Sequence, residues 1–298
     1  HRIKFDYLNL QEKIVIVKKY ILPETYKQMG LDNIIYMNDE VIEYIIEEYT
    51  NEPGVRKLKQ LMFDIVGEIN LEILNNDMVH DIPIHITKEM LVEKYLSHYN
   101  PYEPQKISLE SEVGVINGLW ANSLGNGGII PIQVRFYITN TFHELKLTGM
   151  QGDVMKESMN VAKTLACSLA KTSGITKEMM EEKLQGIHIH CPDGAVPKDG
   201  PSAGAAITTA IYSLLTNKKI NHLFGITGEI NLQGNVTKIG GLDLKIVGGI
   251  RGGVKHFLFP HENIEDYNKF MDKNKDSNMI KGIEFTSVKT IHDVLSKI

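Results

Sequence analysis

Apolar residues recur at helical spacing up to residue 97 and then give way to strand-like alternation, and this change of period divides the chain. Val41, Ile42, Ile45, Ile46 and Tyr49 share one helix face behind a candidate cap at Asn38. After a turn at 51–54, Val55, Leu58, Leu61, Met62, Ile65, Val66, Ile69, Ile73 and Leu74 make a broad apolar face on a longer helix. Thr87 is positioned to cap a last short helix that turns Met90, Leu91 and Tyr95 inward. Helices this short need one another's apolar faces, so residues 1–100 are expected to form a small all-helical bundle.

The stretch Tyr99-Asn100-Pro101-Tyr102-Glu103-Pro104 reads as a linker, and a second domain is expected over 106–298. Strand patterns run over Val113 to Leu119, Ile129 to Ile138 and His143 to Leu147, with a turn expected at the Gly-Asn-Gly-Gly of 125–128. Helical spacing returns from Val154 to Leu169, and a short strand, Ile187-His188-Ile189-His190, leads into a Gly/Pro-rich loop ending at Pro201. A helix filled with Ala and Gly then runs from Ser202 through Leu215. Further strand, turn and helix patterns follow, with strands at His256 to Phe259 and around Phe285. The fold class expected is α+β, a helical subdomain followed by a mixed α/β domain.

With 298 residues and 42% hydrophobic content, the chain can fill substantial cores. Its 32 basic and 37 acidic residues leave a formal charge of −5, which argues against strong nucleic-acid binding. The two cysteines, Cys167 and Cys191, are too few for a disulfide framework and fit a reducing compartment. No run approaches the roughly 18 apolar residues of a membrane span. The first residue is His1 rather than Met and no signal peptide is visible, so the chain reads as a piece of something longer whose targeting segment is out of view.

Two local features carry chemistry. A serine between a polar loop and a helix start, as at Ser202, can expose its oxygen beside backbone N–H groups that would stabilise a negative oxygen, although such a serine is more often a simple cap. A serine nucleophile also needs a base. Lys245, in Gly240-Gly241-Leu242-Asp243-Leu244-Lys245, lies on a helix near Gly241, Leu242, Gly248 and Gly249, where close packing would withdraw it from water and lower its pKa. The competing reading is a snorkelling surface lysine. His188 and His190, alternating beside Cys191, invite a metal site or a cysteine–histidine pair, but neither Cys-x-x-Cys nor His-Glu-x-x-His completes the first, and adjacent strand residues point apart. No phosphate-binding loop ending in Gly-Lys-Ser/Thr is present.

Pro197-Lys198-Asp199-Gly200-Pro201-Ser202-Ala203-Gly204 resembles the active-site signature of the Lon proteases, and Gly240 to Lys245 resembles the family's lysine helix. Gly225-Ile226-Thr227-Gly228-Glu229-Ile230 is similar to the intervening threonine-glycine-glutamate segment, and Arg251 to Pro260 matches the stretch after the lysine. Glu52-Pro53-Gly54-Val55-Arg56 looks like a nucleotide-sensor motif in the helical lid of an AAA+ module. Gly118-Leu119-Trp120-Ala121 departs from the family's Gly-Leu-Ala-Trp, and Cys191-Pro192-Asp193-Gly194 differs modestly before the serine.

The resemblance implies a serine endopeptidase of the soluble subgroup, with Ser202 as nucleophile, Lys245 as base, Thr227 orienting the lysine and the backbone of Ser202 and Ala203 as oxyanion donors. Asp199 would shape the loop or help close an inactive state, while Glu229, His188 and His190 are supporting candidates. It also implies no cofactor in this chain, with ATP and Mg serving the full-length protein, where Arg56 would sense nucleotide. Unfolded polypeptides would be substrates, a homo-hexamer the assembly, and the cytoplasm or mitochondrial matrix the compartment. Two other classes remain open: an inactive ring-forming module, and a nucleic-acid-binding domain.

Overall fold

The structure, a computed structural model, describes residues 8–50, 52, 54–75, 82–122, 125–141, 144–174, 186–192, 199–275 and 277–298. They form two compact units, the first taking the described residues up to Glu103 together with 125–126, the second the remainder.

In the first unit, α1 (Leu10–Ile16) starts at a reciprocal cap, Asn9 accepting from the Glu12 backbone while the Glu12 carboxylate accepts from the Asn9 N–H. It continues through a π turn at Val17–Ile21 into α2 (Leu22–Met29), where Pro23, which has no N–H to donate, follows the π turn. Gly30, left-handed at φ 69°, ends it. α3 (Asp39–Tyr49) starts at the Asn38 cap, α4 (Arg56–Leu74) follows, and α5 (Lys88–Met90) is capped by Thr87 and runs into a π turn at Leu91–Tyr95. Ile42, Ile45, Leu58, Met62, Ile65 and Ile69 make its core. The bundle is helical with one correction: β1 (Ile35–Tyr36) and β2 (Ile84–His85) pair in parallel within it. Two residues per strand leave no periodicity for the sequence to display.

The second unit is built on a seven-stranded mixed sheet. Its strands are β4 (Val115–Ala121), β5 (Gly127–Tyr137), β6 (Leu145–Thr148), β7 (Gly186–His190), β9 (Phe224–Ile226), β12 (His256–Pro260) and β13 (Glu284–Val288). Their spatial order is β13-β12-β9-β4-β5-β7-β6. Two small pairs flank it: β3 (Glu112–Val113) with β8 (Lys219–Ile220), and β10 (Glu229–Ile230) with β11 (Val236–Thr237). Side chains alternate across the sheet. Ile130, Ile132, Ile226 and Leu258 face a layer made by α6 (Asp153–Thr172) and α7 (Gly204–Thr216). Leu119, Ile129, Phe257 and Phe259 face the other layer, made by α8 (Leu242–Gly252) and α9 (Ile264–Asn274). A last helix, α10 (Ile291–Leu295), packs through Ile291 and Val294 into the first layer.

Gly127 and Gly128, expected in a turn, already belong to β5, paired with Ala121 and Trp120. The reason is α8. A Cβ on Gly248 would lie 2.1 Å from the Gly127 carbonyl carbon, and one on Gly127 would lie 2.1 Å from the Leu244 oxygen. Helix and strand backbones therefore touch directly at glycines, and the residue four before Gly248 is carried down onto the sheet with them. Gly248→Ala is expected to force α8 off β5, costing about 3 kcal/mol. Gly240→Ala, whose added Cβ would meet nothing within 4 Å, is expected to change stability by less than about 0.5 kcal/mol. Thermal melts of the two variants check the contrast.

Candidate active site

Thr227 directly follows β9, at its carboxyl end, and the two helical layers meet there. On one side, Pro201–Ala203 forms a single 3-10 turn leading into α7. Ser202 lies in this turn, partly exposed, while Ala203 is buried. The turn is fastened to the residues after β9 by backbone: Gly228 N–H donates to the Ser202 carbonyl at 2.8 Å, and Ala205 N–H donates to the Gly228 carbonyl at 3.0 Å. A Cβ on Gly204 would come within 2.8 Å of Ile230, so this approach needs glycine. Small residues continue along α7 because it is buried along nearly its whole length. Its two buried threonines, Thr208 and Thr209, donate back to the Gly204 and Ala205 carbonyls and leave no hydroxyl unpaired.

On the other side, α8 starts at Gly241, left-handed at φ 64°, and brings Lys245 in at its first turn, with Lys245 N–H donating to the Gly241 carbonyl at 3.0 Å. The lysine is 3% exposed. Its Nζ donates to Thr227 Oγ1 at 3.1 Å, and that hydroxyl donates to the Ser202 carbonyl oxygen at 3.3 Å. Thr227 is itself fully buried, with its N–H donating to the Leu258 carbonyl. Burial disfavours the ammonium and pushes the Lys245 pKa down from 10.5 to about 8. A titratable amine, a threonine hydroxyl and the serine backbone are thus gathered at one strand end. Among the described residues no hydrogen bond joins Ser202 Oγ to Lys245 Nζ; Thr227 ties the amine to the backbone carbonyl of Ser202, not to its hydroxyl.

The other candidates separate from this cluster. Asp199 Oδ1 accepts from Met155 N–H and Gly200 N–H, both at 3.0 Å, so the carboxylate caps the start of α6 and draws the pre-serine loop onto that helix. Gly152 is needed beside it, since a Cβ there would lie 2.4 Å from the Asp199 carboxyl carbon. Pro197 and Lys198 of the same motif, Asp193 and Gly194 before it, and Pro53 of the sensor motif lie outside the described residues. Glu229 is exposed at the start of β10, its backbone paired with Thr237.

His188 and His190, two apart on β7, share one face, because strand side chains repeat every second residue. Both bond the Thr148 hydroxyl, His188 Nε2 at 2.9 Å and His190 Nδ1 at 2.7 Å. Burial, then the charges of Lys146 and His190, lower the His188 pKa. Thr148 was not foreseen; its cross-strand position opposite His190 depends on a register that no local pattern encodes. Arg56, in the first unit, is the exposed first residue of α4, whose start is capped by Glu52 accepting from Lys57 and Leu58 N–H.

A model of the Lon protease (S16) C-terminal proteolytic domain matches residues 79–298, and one of the Lon protease AAA+ ATPase lid domain matches residues 27–81. Among curated relatives, a Lon protease homolog of Acanthamoeba polyphaga mimivirus is 33% identical over 99% of this chain and 34% of its own length. The Lon protease of Mycoplasma mycoides subsp. mycoides SC is 39% identical over 86% of this chain and 31% of its own. That of Fusobacterium nucleatum is 37% identical over 90% and 34%. The chain spans about a third of the length of these relatives. A helical lid and a mixed α/β domain carrying the serine and lysine motifs, matched along their length by these models and relatives, identify the chain as a member of the Lon protease family.

Proposed function

We propose that this chain hydrolyses peptide bonds of unfolded polypeptides with Ser202 as nucleophile and Lys245 as general base. The observation that carries the reading is the buried Lys245 amine, with its pKa near 8, reaching the serine turn through Thr227. A neutral Lys245 donates one N–H to Thr227 and keeps its lone pair for the Ser202 hydroxyl proton. Ser202 Oγ then bonds to the scissile carbonyl carbon as its proton passes to Lys245, and the carbonyl oxygen takes up the negative charge. Backbone N–H groups of Ser202 and Ala203, at the start of the serine helix, supply the oxyanion donors. The ammonium of Lys245 returns the proton to the leaving amine as the C–N bond breaks. Water, deprotonated by the same amine, then bonds to the acyl carbon, the ester bond to Ser202 Oγ breaks, and the Lys245 ammonium returns the proton to Oγ, restoring both groups. Thr227 orients the amine, Asp199 holds the loop, and His188, His190 and Glu229 transfer no proton.

Residues 106–298 constitute the proteolytic domain in this reading, and 1–100 the lid of an ATPase module. In the full-length protein, a homo-hexamer in this reading, ATP with Mg would supply the energy for unfolding. This chain's part in holding nucleotide is Arg56. Its guanidinium stands exposed at a helix start, without an ion pair among the described residues, and suits a phosphate. Unfolded chains are the substrate because a peptide must extend its backbone to enter such a site.

Hydrolysis of a fluorogenic unfolded peptide is expected to disappear in Ser202→Ala and Lys245→Met; full activity in either would overturn the dyad. In the unaltered chain, kcat/KM is expected to rise with pH through an apparent pKa of about 8 and level off above it, because the base is the neutral amine. Lys245→Met is expected to stabilise the fold while removing activity. The lysine's folded pKa lies below its unfolded value, so the unfolded chain binds the extra proton between about pH 8 and 10.5. Its burial therefore costs about 3 kcal/mol below pH 8 and nothing above pH 10.5. Denaturant melts at pH 7 are expected to show a gain of about 1–3 kcal/mol for Lys245→Met that fades as pH rises toward 10.5.

A further inference from the structure

Three residues before the helix that carries Lys245, the chain is held by a side chain with no part in the chemistry described above. Asn263 is fully buried. Its Oδ1 accepts from Ile239 N–H at 3.0 Å and its Nδ2 donates to the Ile239 carbonyl at 2.8 Å. A single amide thus pairs both backbone groups of one residue, as a neighbouring strand would. Nδ2 also donates to Asp266 Oδ2 at 2.8 Å, fixing the amide's orientation, and the preceding Glu262 accepts from Lys238 N–H at 2.8 Å.

Downstream of Ile239 come Gly240 and Gly241, and then Leu242, the first residue of α8. No side chain caps this helix start, and Gly241 is left-handed. Gly241's carbonyl accepts the Lys245 N–H. Glycines hold no conformation by themselves, so the direction in which the helix starts depends on what fixes Ile239. We propose that Asn263, aided by Glu262, is a positioning residue for Lys245: by clamping Ile239 it sets the start of α8 and so places the amine against Thr227. This inference rests on the reading of Lys245 as base.

A loosened clamp lets the amine move from Thr227 and admits water, so it lowers turnover and returns the lysine toward its ordinary titration without altering substrate affinity. The experiment measures kcat, KM and the pH profile of peptide hydrolysis for Asn263→Asp, Asn263→Ala, Glu262→Ala and Asp266→Ala, with folding followed by near-ultraviolet circular dichroism. Asn263→Asp keeps the shape and the acceptor but opposes the Ile239 carbonyl with an oxygen. Both Asn263 variants are expected to lose about 10- to 100-fold in kcat, with KM within about twofold and the kinetic pKa raised by about one unit. Glu262→Ala, at an exposed residue, is expected to give a smaller loss of about two- to fivefold with the same upward shift. Asp266→Ala leaves both Ile239 bonds in place but removes one restraint on the amide, and is expected to lose no more than Glu262→Ala does.

Folded Asn263 variants with wild-type kcat and pH profile would overturn the inference, and so would unfolded Asn263 variants combined with a wild-type Glu262→Ala. Activity that survives Ser202→Ala or Lys245→Met would instead overturn the dyad, and this inference with it.

Discussion

The second unit depends on keeping one amine out of water. Lys245 is 3% exposed, and its nearest polar partner is a threonine hydroxyl, a neutral acceptor that stabilises an ammonium far less than a carboxylate would. A carboxylate in that position would raise the lysine's pKa and, on the proposed reading, leave it unable to serve as a base near neutrality. Thr227 gives the amine an orientation without a countercharge. The stability lost in burying it is borne by the surrounding apolar packing, Leu242 and Ile246 on its own helix and Phe257 and Phe259 beneath.

Much of the local architecture serves this withdrawal. α8 reaches the sheet through glycine-to-glycine backbone contact with β5, with a further close approach of Gly249 to Phe257. The serine turn reaches the same strand end from the opposite layer, through its paired hydrogen bonds to Gly228. Ser202 and Lys245, carried by helices on opposite faces of one sheet, can therefore be reached from a single residue placed just beyond β9. The sheet contributes rigidity, and Thr227 contributes the junction. Asp199 adds a third restraint by tying the pre-serine loop to the start of α6.

Much of this was legible in the residues, and the losses have physical causes. The long helices could be read because periodicity is local: α3 and α4 run where their apolar faces indicate, and the Asn38 and Thr87 caps hold. The resemblance in the serine and lysine segments pointed to both residues, and the glycines around Lys245 indicated close packing correctly, although their partner in β5 was invisible. Gly127 and Gly128 looked like a turn because their partner is a helix more than a hundred residues on. The junction of Asp199 with Met155, the sharing of Thr148 by two histidines and the clamp of Asn263 on Ile239 are likewise long-range pairings. Asn263 follows a strand and a proline, where an asparagine is ordinarily a turn residue, and nothing local marks it as buried.

The titration of Lys245 itself tests the account most directly. With lysine labelled at its terminal carbon and the Lys245→Met protein used to assign the signal, nuclear magnetic resonance follows the amine through pH 6 to 11 under non-denaturing conditions. The expected midpoint is about 8. A midpoint at the ordinary lysine value of 10.5 would mean that the amine is solvated and charged at neutral pH, and would contradict the proposal that it is the base for Ser202.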